Sequence, residues 1–267
     1  MSPDADRQPS DEPGRDLERN EEVAELVGRL SGGEDLDRAE RGMLLGRLTG
    51  ALAAGARQAA TSGVGRGRWL AEVFESIAPR IPIRDLHTLQ KHHPGLMGEE
   101  LADKLVNTAA NATTGVGAVG GALAAVELAA PPLLLTVPAQ LVAETLVVSA
   151  VEVKLIAELH EVYGVQVPGS LTERAAQYVT SWARQRGINP LAPGSVTIAL
   201  GVATKTALRN RLMRTLGRHL TTLGPFLTGA VAGGTLNRLA TRKLANAVRQ
   251  DLRRQRGLTP PPRELPE

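Results

Sequence analysis

Residues 113–126 read Thr-Thr-Gly-Val-Gly-Ala-Val-Gly-Gly-Ala-Leu-Ala-Ala-Val, and the interpretation of this stretch decides the fold. It contains a G-x-G-x-x-G pattern at Gly115, Gly117 and Gly120, inside a segment from 105 to 126 that has no ionisable side chain. The pattern is typical of two different structures. One is the phosphate-binding turn of a dinucleotide-binding domain, and the other is a row of small residues that lets one apolar helix lie close against another.

The surrounding sequence favours the helix. A dinucleotide-binding turn needs a strand before its first glycine, because the turn presents the N-terminus of a helix to the pyrophosphate. Residues 99–111 instead place apolar side chains at the three- and four-residue spacing of an amphipathic helix, and no Gly-Lys-Ser or Gly-Lys-Thr follows. The sequence therefore predicts a helix in which Gly117 and Gly121 face a neighbouring helix. A nucleotide-dependent enzyme that uses Gly115–Gly120 is kept as a remote alternative.

Composition restricts the fold class and the chemistry. Aromatic residues make up 2% of the 267 residues, so the core has to be built from Ala, Leu and Val with closely approaching backbones, which favours helices over sheets. The sequence predicts an all-α protein, a helical bundle with a central glycine-rich apolar helical hairpin and disordered termini. Cysteine is absent, which excludes disulfides, thiolate zinc sites and cysteine nucleophiles. The five histidines have no zinc-protease spacing, and no catalytic residue, cofactor or metal is predicted.

Four regions are predicted along the chain. They are a disordered acidic tail (1–20), an N-terminal helical region (21–96), a main helical domain (97–256) and a Pro-rich disordered tail (257–267). Within them the periodicity predicts helices near 21–30, 35–60, 67–78 and 84–92. The sequence Ser170-Leu-Thr-Glu173 is a capping box that should open a helix ending at Gly187.

The apolar centre of the chain, residues 105–151, contains only two ionisable side chains, Glu127 and Glu144. Its length is compatible with two membrane crossings of about 20 residues each, although Thr, Asn, Gly and Pro residues weaken both. A helical hairpin that bends at the prolines fits this stretch, either inserted in a bilayer, laid in its interface or buried in a soluble bundle. Glu144 is predicted to be a buried polar residue with a basic partner on another helix. Lys154 and Glu158, one turn apart, are predicted to form a solvated surface pair.

A second glycine-rich segment, with Gly229 and Gly233, repeats the small-residue spacing of Gly117 and Gly121, which makes all four glycines candidates for helix packing. The helix after it is predicted to be basic and amphipathic. Its apolar side carries Leu236, Ala240, Leu244 and Ala247, and a narrow arc on another side carries Arg238, Arg242, Arg249, Arg253 and Arg256. These arginines are predicted to bind an anionic membrane surface or an acidic protein, with a solvated bundle face as the alternative.

The charge distribution supports an anionic partner. Residues 1–40 carry 13 acidic and 5 basic side chains, whereas residues 205–256 carry 12 basic and 1 acidic. The two ends either attract each other or leave the basic end for lipid headgroups or nucleic acid. Nucleic acid is the weaker candidate, because no helix-turn-helix or zinc pattern is present and aromatic side chains for base stacking are few.

In three landmarks the chain resembles the EcsC-like family of bacterial helical proteins. The landmarks are the glycine-rich apolar segment 115–126, the Pro-bearing apolar helix that leads to Tyr163-Gly164, and the segment 229–237 followed by an Ala- and Arg-rich helix. The resemblance covers residues 97–256 and does not include the acidic first third. It implies an association with membranes or membrane transport machinery, and it supplies no catalytic residue.

Together these patterns predict a non-enzymatic protein on the cytoplasmic, inner face of a bacterial membrane, peripheral or partly inserted, beside transport machinery. The first twenty residues have no apolar stretch after a basic start, so secretion is not expected. The expected partners are an anionic membrane surface, a membrane protein or an acidic protein, and an oligomer is left open. The alternative function is a soluble helical adaptor that binds an acidic protein.

Overall fold

A computed structural model describes residues 12–32, 36–61, 73, 76–129, 137–185 and 225–257. In these ranges the regular elements are all helical and no strand occurs, which confirms the all-α prediction. They are α1 (Glu12–Gly32), α2 (Arg38–Thr61), a 3-10 turn (Ala78–Arg80), α3 (Leu86–His92), α4 (Gly98–Ala129), α5 (Val137–Tyr163), α6 (Leu171–Gln185) and α7 (Pro225–Gln255).

Helices α4, α5 and α7 form the centre of the fold. α4 and α5 are antiparallel, since Gln140 near the start of α5 bonds to Gly120 near the end of α4. At the opposite end, Tyr163 bonds to Glu99 at the start of α4. The predicted hairpin is therefore α4–α5, with its connection at 130–136 outside the described ranges. Among the described helices, none is both long enough and apolar enough to cross a membrane.

The glycine-rich segment lies in the interior of α4. The helix runs from Gly98 through Gly115, Gly117 and Gly121 without interruption, so the prediction of a helix here is confirmed. In a helix interior the backbone N–H groups bond to carbonyls one turn earlier and are not presented to a ligand. The G-x-G-x-x-G pattern is therefore not a strand-to-helix turn.

The first third of the chain shares its core with the rest. Val27 and Leu30 of α1 and Leu44 of α2 are fully buried and belong to one hydrophobic cluster with Leu146 and Ile156 of α5. The predicted boundary at residue 97 therefore does not separate two cores. α1 begins at Glu12, so residues 12–20, which the sequence assigned to a disordered tail, lie in this helix, and the apolar side chains that follow them give the helix a face to bury. Residues 1–11 lie outside the described ranges.

The capping box at the start of α6 is present as predicted. The backbone N–H of Ser170 donates to Oε2 of Glu173 at 2.7 Å, and the N–H of Glu173 donates to Oγ of Ser170 at 3.4 Å. These two bonds satisfy N–H groups that a helix start leaves without an intrahelical partner. The predicted end at Gly187, most of the helix predicted at 67–78 and the tail 258–267 lie outside the described ranges.

The pair formed by Lys154 and Glu158 is buried, so the prediction of a solvated surface pair is wrong. Their side chains are 8% and 3% exposed, with Nζ of Lys154 3.0 Å from Oε1 of Glu158. Arg84, which precedes α3, also donates through Nε to the same oxygen at 2.8 Å. α1, α2, α4 and α7 all contact α5, and their enclosure removes its polar side from water. The charge pattern of one helix does not show which of its sides other helices will cover.

Candidate interaction surface on α7

The two glycine-rich segments meet in the contact between α4 and α7. A Cβ atom placed on Gly117 would lie 2.6 Å from the carbonyl oxygen of Gly233 and 2.6 Å from Nδ2 of Asn237, closer than real Cβ contacts. Gly117 and Gly233 therefore let the two backbones approach directly, as the small-residue spacing predicts. Gly121 is also buried, and Gly229 lies in α7 where the side-chain environment is not described.

A chain of buried polar groups joins four helices beside this contact. Glu152 of α5, 0% exposed, accepts hydrogen bonds from Nε1 of Trp182 on α6 at 2.9 Å and from Oγ1 of Thr241 on α7 at 3.0 Å. The hydroxyl of Thr241 lies 3.0 Å from that of Thr113 on α4. A carboxylate in an apolar core is stable only when donors replace its water, so these bonds fix how the helices sit against one another.

Four of the five arginines on the predicted basic arc contact α4. Arg238 donates to Oδ1 of Asn111, and Arg242 donates to Oδ1 of Asn107 at 2.7 Å. Arg249 donates to Asp103 at 2.6 Å and to Glu99 at 2.5 Å. Arg253 also donates to Glu99, at 2.5 Å. The fifth, Arg256, lies beside Gly164. The arc thus divides into two parts. Arg249 and Arg253 face carboxylates, whereas Arg238 and Arg242 face amides that do not neutralise their charge.

An ionic clasp, which we define as Glu99, Asp103, Tyr163, Arg249 and Arg253, ties the start of α4 to the ends of α5 and α7. The hydroxyl of Tyr163 accepts from Nε of Arg249 at 3.1 Å and donates to Glu99 at 2.9 Å. Burial alone would lower the pKa of Arg249, but its hydrogen bonds to Glu99, Tyr163 and Asp103 outweigh burial and raise it. The acidic side chains at the N-terminus of α4 and the basic side chains at the C-terminus of α7 also interact favourably with the dipoles of their own helices.

The clasp should make stability depend on acid pH. Hydrogen bonds from Arg253, and then from Arg249 and Tyr163, lower the pKa of Glu99 from 4.5 to about 2, although burial acts in the opposite direction. The pKa of Glu99 is lower in the folded protein than in the unfolded chain. Its contribution to the free energy of unfolding is therefore complete above pH 4.5 and is lost as the pH falls toward 2. Thermal unfolding of the Glu99→Gln variant should therefore show a melting temperature below that of the parent at neutral pH, with the difference closing in acid. A difference that stays constant down to the lowest pH would contradict this assignment.

Glu144 is half-buried, and so is less buried than the sequence predicted. Its Oε1 accepts from Nε2 of Gln140, one turn earlier on α5, at 2.9 Å. The same nitrogen also donates to the carbonyl of Gly120 at 3.0 Å, and the Glu144 carboxylate occupies the space where a side chain on Gly120 would lie. The amide of Gln140 on the same helix is thus one partner of this carboxylate. The basic group from another helix that the sequence predicted stays a prediction.

The outer face of α7, defined here as Leu236, Arg238, Leu239, Arg242 and Lys243, combines apolar and cationic side chains. Leu239 is 60% exposed and Leu236 38% exposed, two of the four large hydrophobic residues on the described surface. Arg242 and Lys243 are exposed and Arg238 is half-buried. The sequence placed Leu236 on the apolar side with Leu244, but only Leu244 is buried. Reasoning from one helix missed Leu239 and Lys243, because which side of α7 is covered depends on where α4 and α5 lie.

The described ranges contain no group of three or more His, Asp or Glu side chains placed to hold a metal ion. No family model, curated protein or solved structure matches the chain.

Proposed function

We propose that this is a non-enzymatic helical protein that associates peripherally with the anionic inner face of a bacterial membrane through the outer face of α7. The observation that carries the proposal is the exposure of Leu236 and Leu239 next to Arg238, Arg242 and Lys243. The bacterial setting, and a position beside transport machinery, follow from the resemblance to EcsC-like proteins.

The outer face has the chemistry of a helix that lies in a membrane interface. Leucines enter the boundary between headgroups and acyl chains, and cations remain at the level of the phosphates. Each basic side chain near an anionic leaflet contributes about 1 kcal/mol. Full burial of an exposed leucine contributes about 1.5–3 kcal/mol, and the partly covered Leu236 and Leu239 contribute correspondingly less. Arg249 and Arg253 contribute less, since Glu99 and Asp103 already compensate their charge.

The second candidate function is a soluble adaptor that uses the same face on an acidic protein. The ionic clasp favours it, because two of the five predicted anionic-surface arginines are used within the fold. An acidic amphipathic helix could cover the leucines and pair with Arg238, Arg242 and Lys243. The two candidates share a surface and differ in whether lipid alone is sufficient for binding.

Liposome flotation separates the two candidates. At low salt the protein should float with vesicles of phosphatidylglycerol and phosphatidylcholine, and not with phosphatidylcholine alone. Two variants should weaken binding to the anionic vesicles by about tenfold or more, Leu236→Ser/Leu239→Ser by removing apolar burial and Arg242→Glu/Lys243→Glu by reversing charge.

The matched control is Arg38→Glu/Arg57→Glu on α2, which makes the same change in net charge at two other exposed positions. It should float almost as the parent does. A parent protein that never floats with anionic vesicles at low salt would contradict the membrane proposal and leave the adaptor. Equal losses in the control and in Arg242→Glu/Lys243→Glu would show that net charge, and not the outer face of α7, determines binding.

A further inference from the structure

A polar cleft of about 340 Å³ lies between α5, α6 and α7, away from the outer face of α7. Its lining is His160 from α5, Gln177, Thr180, Ser181 and Gln185 from α6, and Val248, Asp251, Leu252 and Gln255 from α7. A volume of this size is at the lower end of the range for small-molecule sites in proteins. None of these residues belongs to the ionic clasp.

The lining is rich in uncharged hydrogen-bonding groups. It contains three glutamines, a threonine and a serine, and among the described lining residues Asp251 carries the only formal negative charge and there is no Lys or Arg. Gln185 donates to Oδ2 of Asp251 at 3.0 Å, which links α6 to α7 across the cleft. The other oxygen of Asp251 lies 3.6 Å from the guanidinium of Arg254. The carboxylate is therefore positioned and partly neutralised.

His160 adds an acceptor to this lining. Its Nδ1 lies 2.7 Å from the carbonyl oxygen of Ile156, which can only accept, so the proton of the neutral ring is on Nδ1 and Nε2 carries the lone pair. Burial lowers the pKa of His160, which favours the neutral ring at pH 7. The ring also packs edge-on against Tyr178, with centroids 5.3 Å apart, and this contact restricts its orientation.

We propose that the cleft binds a small, uncharged polyhydroxylated ligand, a sugar or polyol. Hydroxyl groups both donate and accept, which matches a lining of carboxylate, imidazole, amide and hydroxyl groups. Val248 and Leu252 also line the cleft and form its apolar part, although little of either side chain is exposed. An anion would meet no basic residue in the described lining, and a diamine would find one carboxylate that already has two partners.

This inference does not depend on membrane association, so either can fail without the other. The test is ligand-detected saturation-transfer NMR on the full chain with glucose, trehalose, myo-inositol and glycerol, and with putrescine as a cationic probe. Binding of inorganic phosphate, the anionic probe, is followed by broadening of its phosphorus-31 signal. At least one neutral probe should bind, and putrescine and phosphate should not. Two cleft variants should weaken that binding, Asp251→Ala by about tenfold because a bond to a charged group is lost, and Thr180→Val by several-fold.

The matched control is Gln250→Ala, next to Asp251 in sequence but exposed on another side of α7, and it should bind as the parent does. Thr180→Val keeps the shape of the side chain, so it tests the cleft even if Asp251→Ala does not fold. Absence of binding by all four neutral probes would overturn the proposal. Preferential binding of putrescine or phosphate, or equal binding by the parent and both cleft variants, would overturn it as well.

Discussion

Replacement of Glu152 by alanine is expected to lower the free energy of unfolding by about 3–5 kcal/mol. The substitution leaves a cavity in the core and removes the acceptor of the bonds from Trp182 and Thr241. Because Glu152 is 0% exposed, water cannot readily replace either bond. Urea unfolding followed by circular dichroism measures the loss. In a Trp69→Phe background, tryptophan emission reports Trp182 alone and should shift to longer wavelength.

The control for Glu152 is Glu25→Ala, which removes the same group from an exposed position on α1 and should change stability by no more than about 0.5 kcal/mol. The Glu152→Gln variant keeps the volume and one acceptor oxygen, so it should fall between the parent and the alanine variant. A Glu152→Ala protein as stable as the Glu25→Ala protein would show that this carboxylate does not hold α6 and α7 in place.

Replacement of Gly117 by alanine is expected to destabilise the fold by about 1–3 kcal/mol, although alanine favours helices more than glycine does by about 1 kcal/mol. The added methyl group would lie 2.6 Å from the Gly233 carbonyl oxygen, which is backbone and cannot rotate away. α4 and α7 would have to separate, with loss of contact along both helices. Chemical denaturation measures the change.

Gly46 in α2 provides the matched control, because a Cβ placed there meets nothing within 4 Å. The same substitution, Gly46→Ala, should stabilise the protein by up to about 1 kcal/mol. A loss of stability in Gly117→Ala together with a gain in Gly46→Ala would identify the close approach of the α4 and α7 backbones as the cause. A stabilising Gly117→Ala change would mean that α4 and α7 are farther apart at this point.

Local features of the chain were sufficient for the helical class and for several element boundaries. The spacing of Leu101, Leu105 and Ala109 predicted that a helix enters the glycine segment, and the capping box predicted where α6 begins. Both depend on residues within one or two turns of each other, where the helix period and backbone bonding leave few alternatives. The same local pattern identified Gly117 and Gly233 as packing residues before their contact was known.

The side chains that each helix presents to its neighbours could be assigned only from the tertiary structure. Arg249 meets Glu99 across 150 positions of sequence, and Glu158, predicted to be solvated, is buried with Arg84. A helical repeat states which residues share a face, but the surroundings of that face depend on partners far away in the chain. The helices were thus determined by the sequence through short-range backbone and side-chain geometry. Burial, charge pairing and the exposed outer face of α7 were decided by the tertiary structure, because they are properties of the contacts between helices.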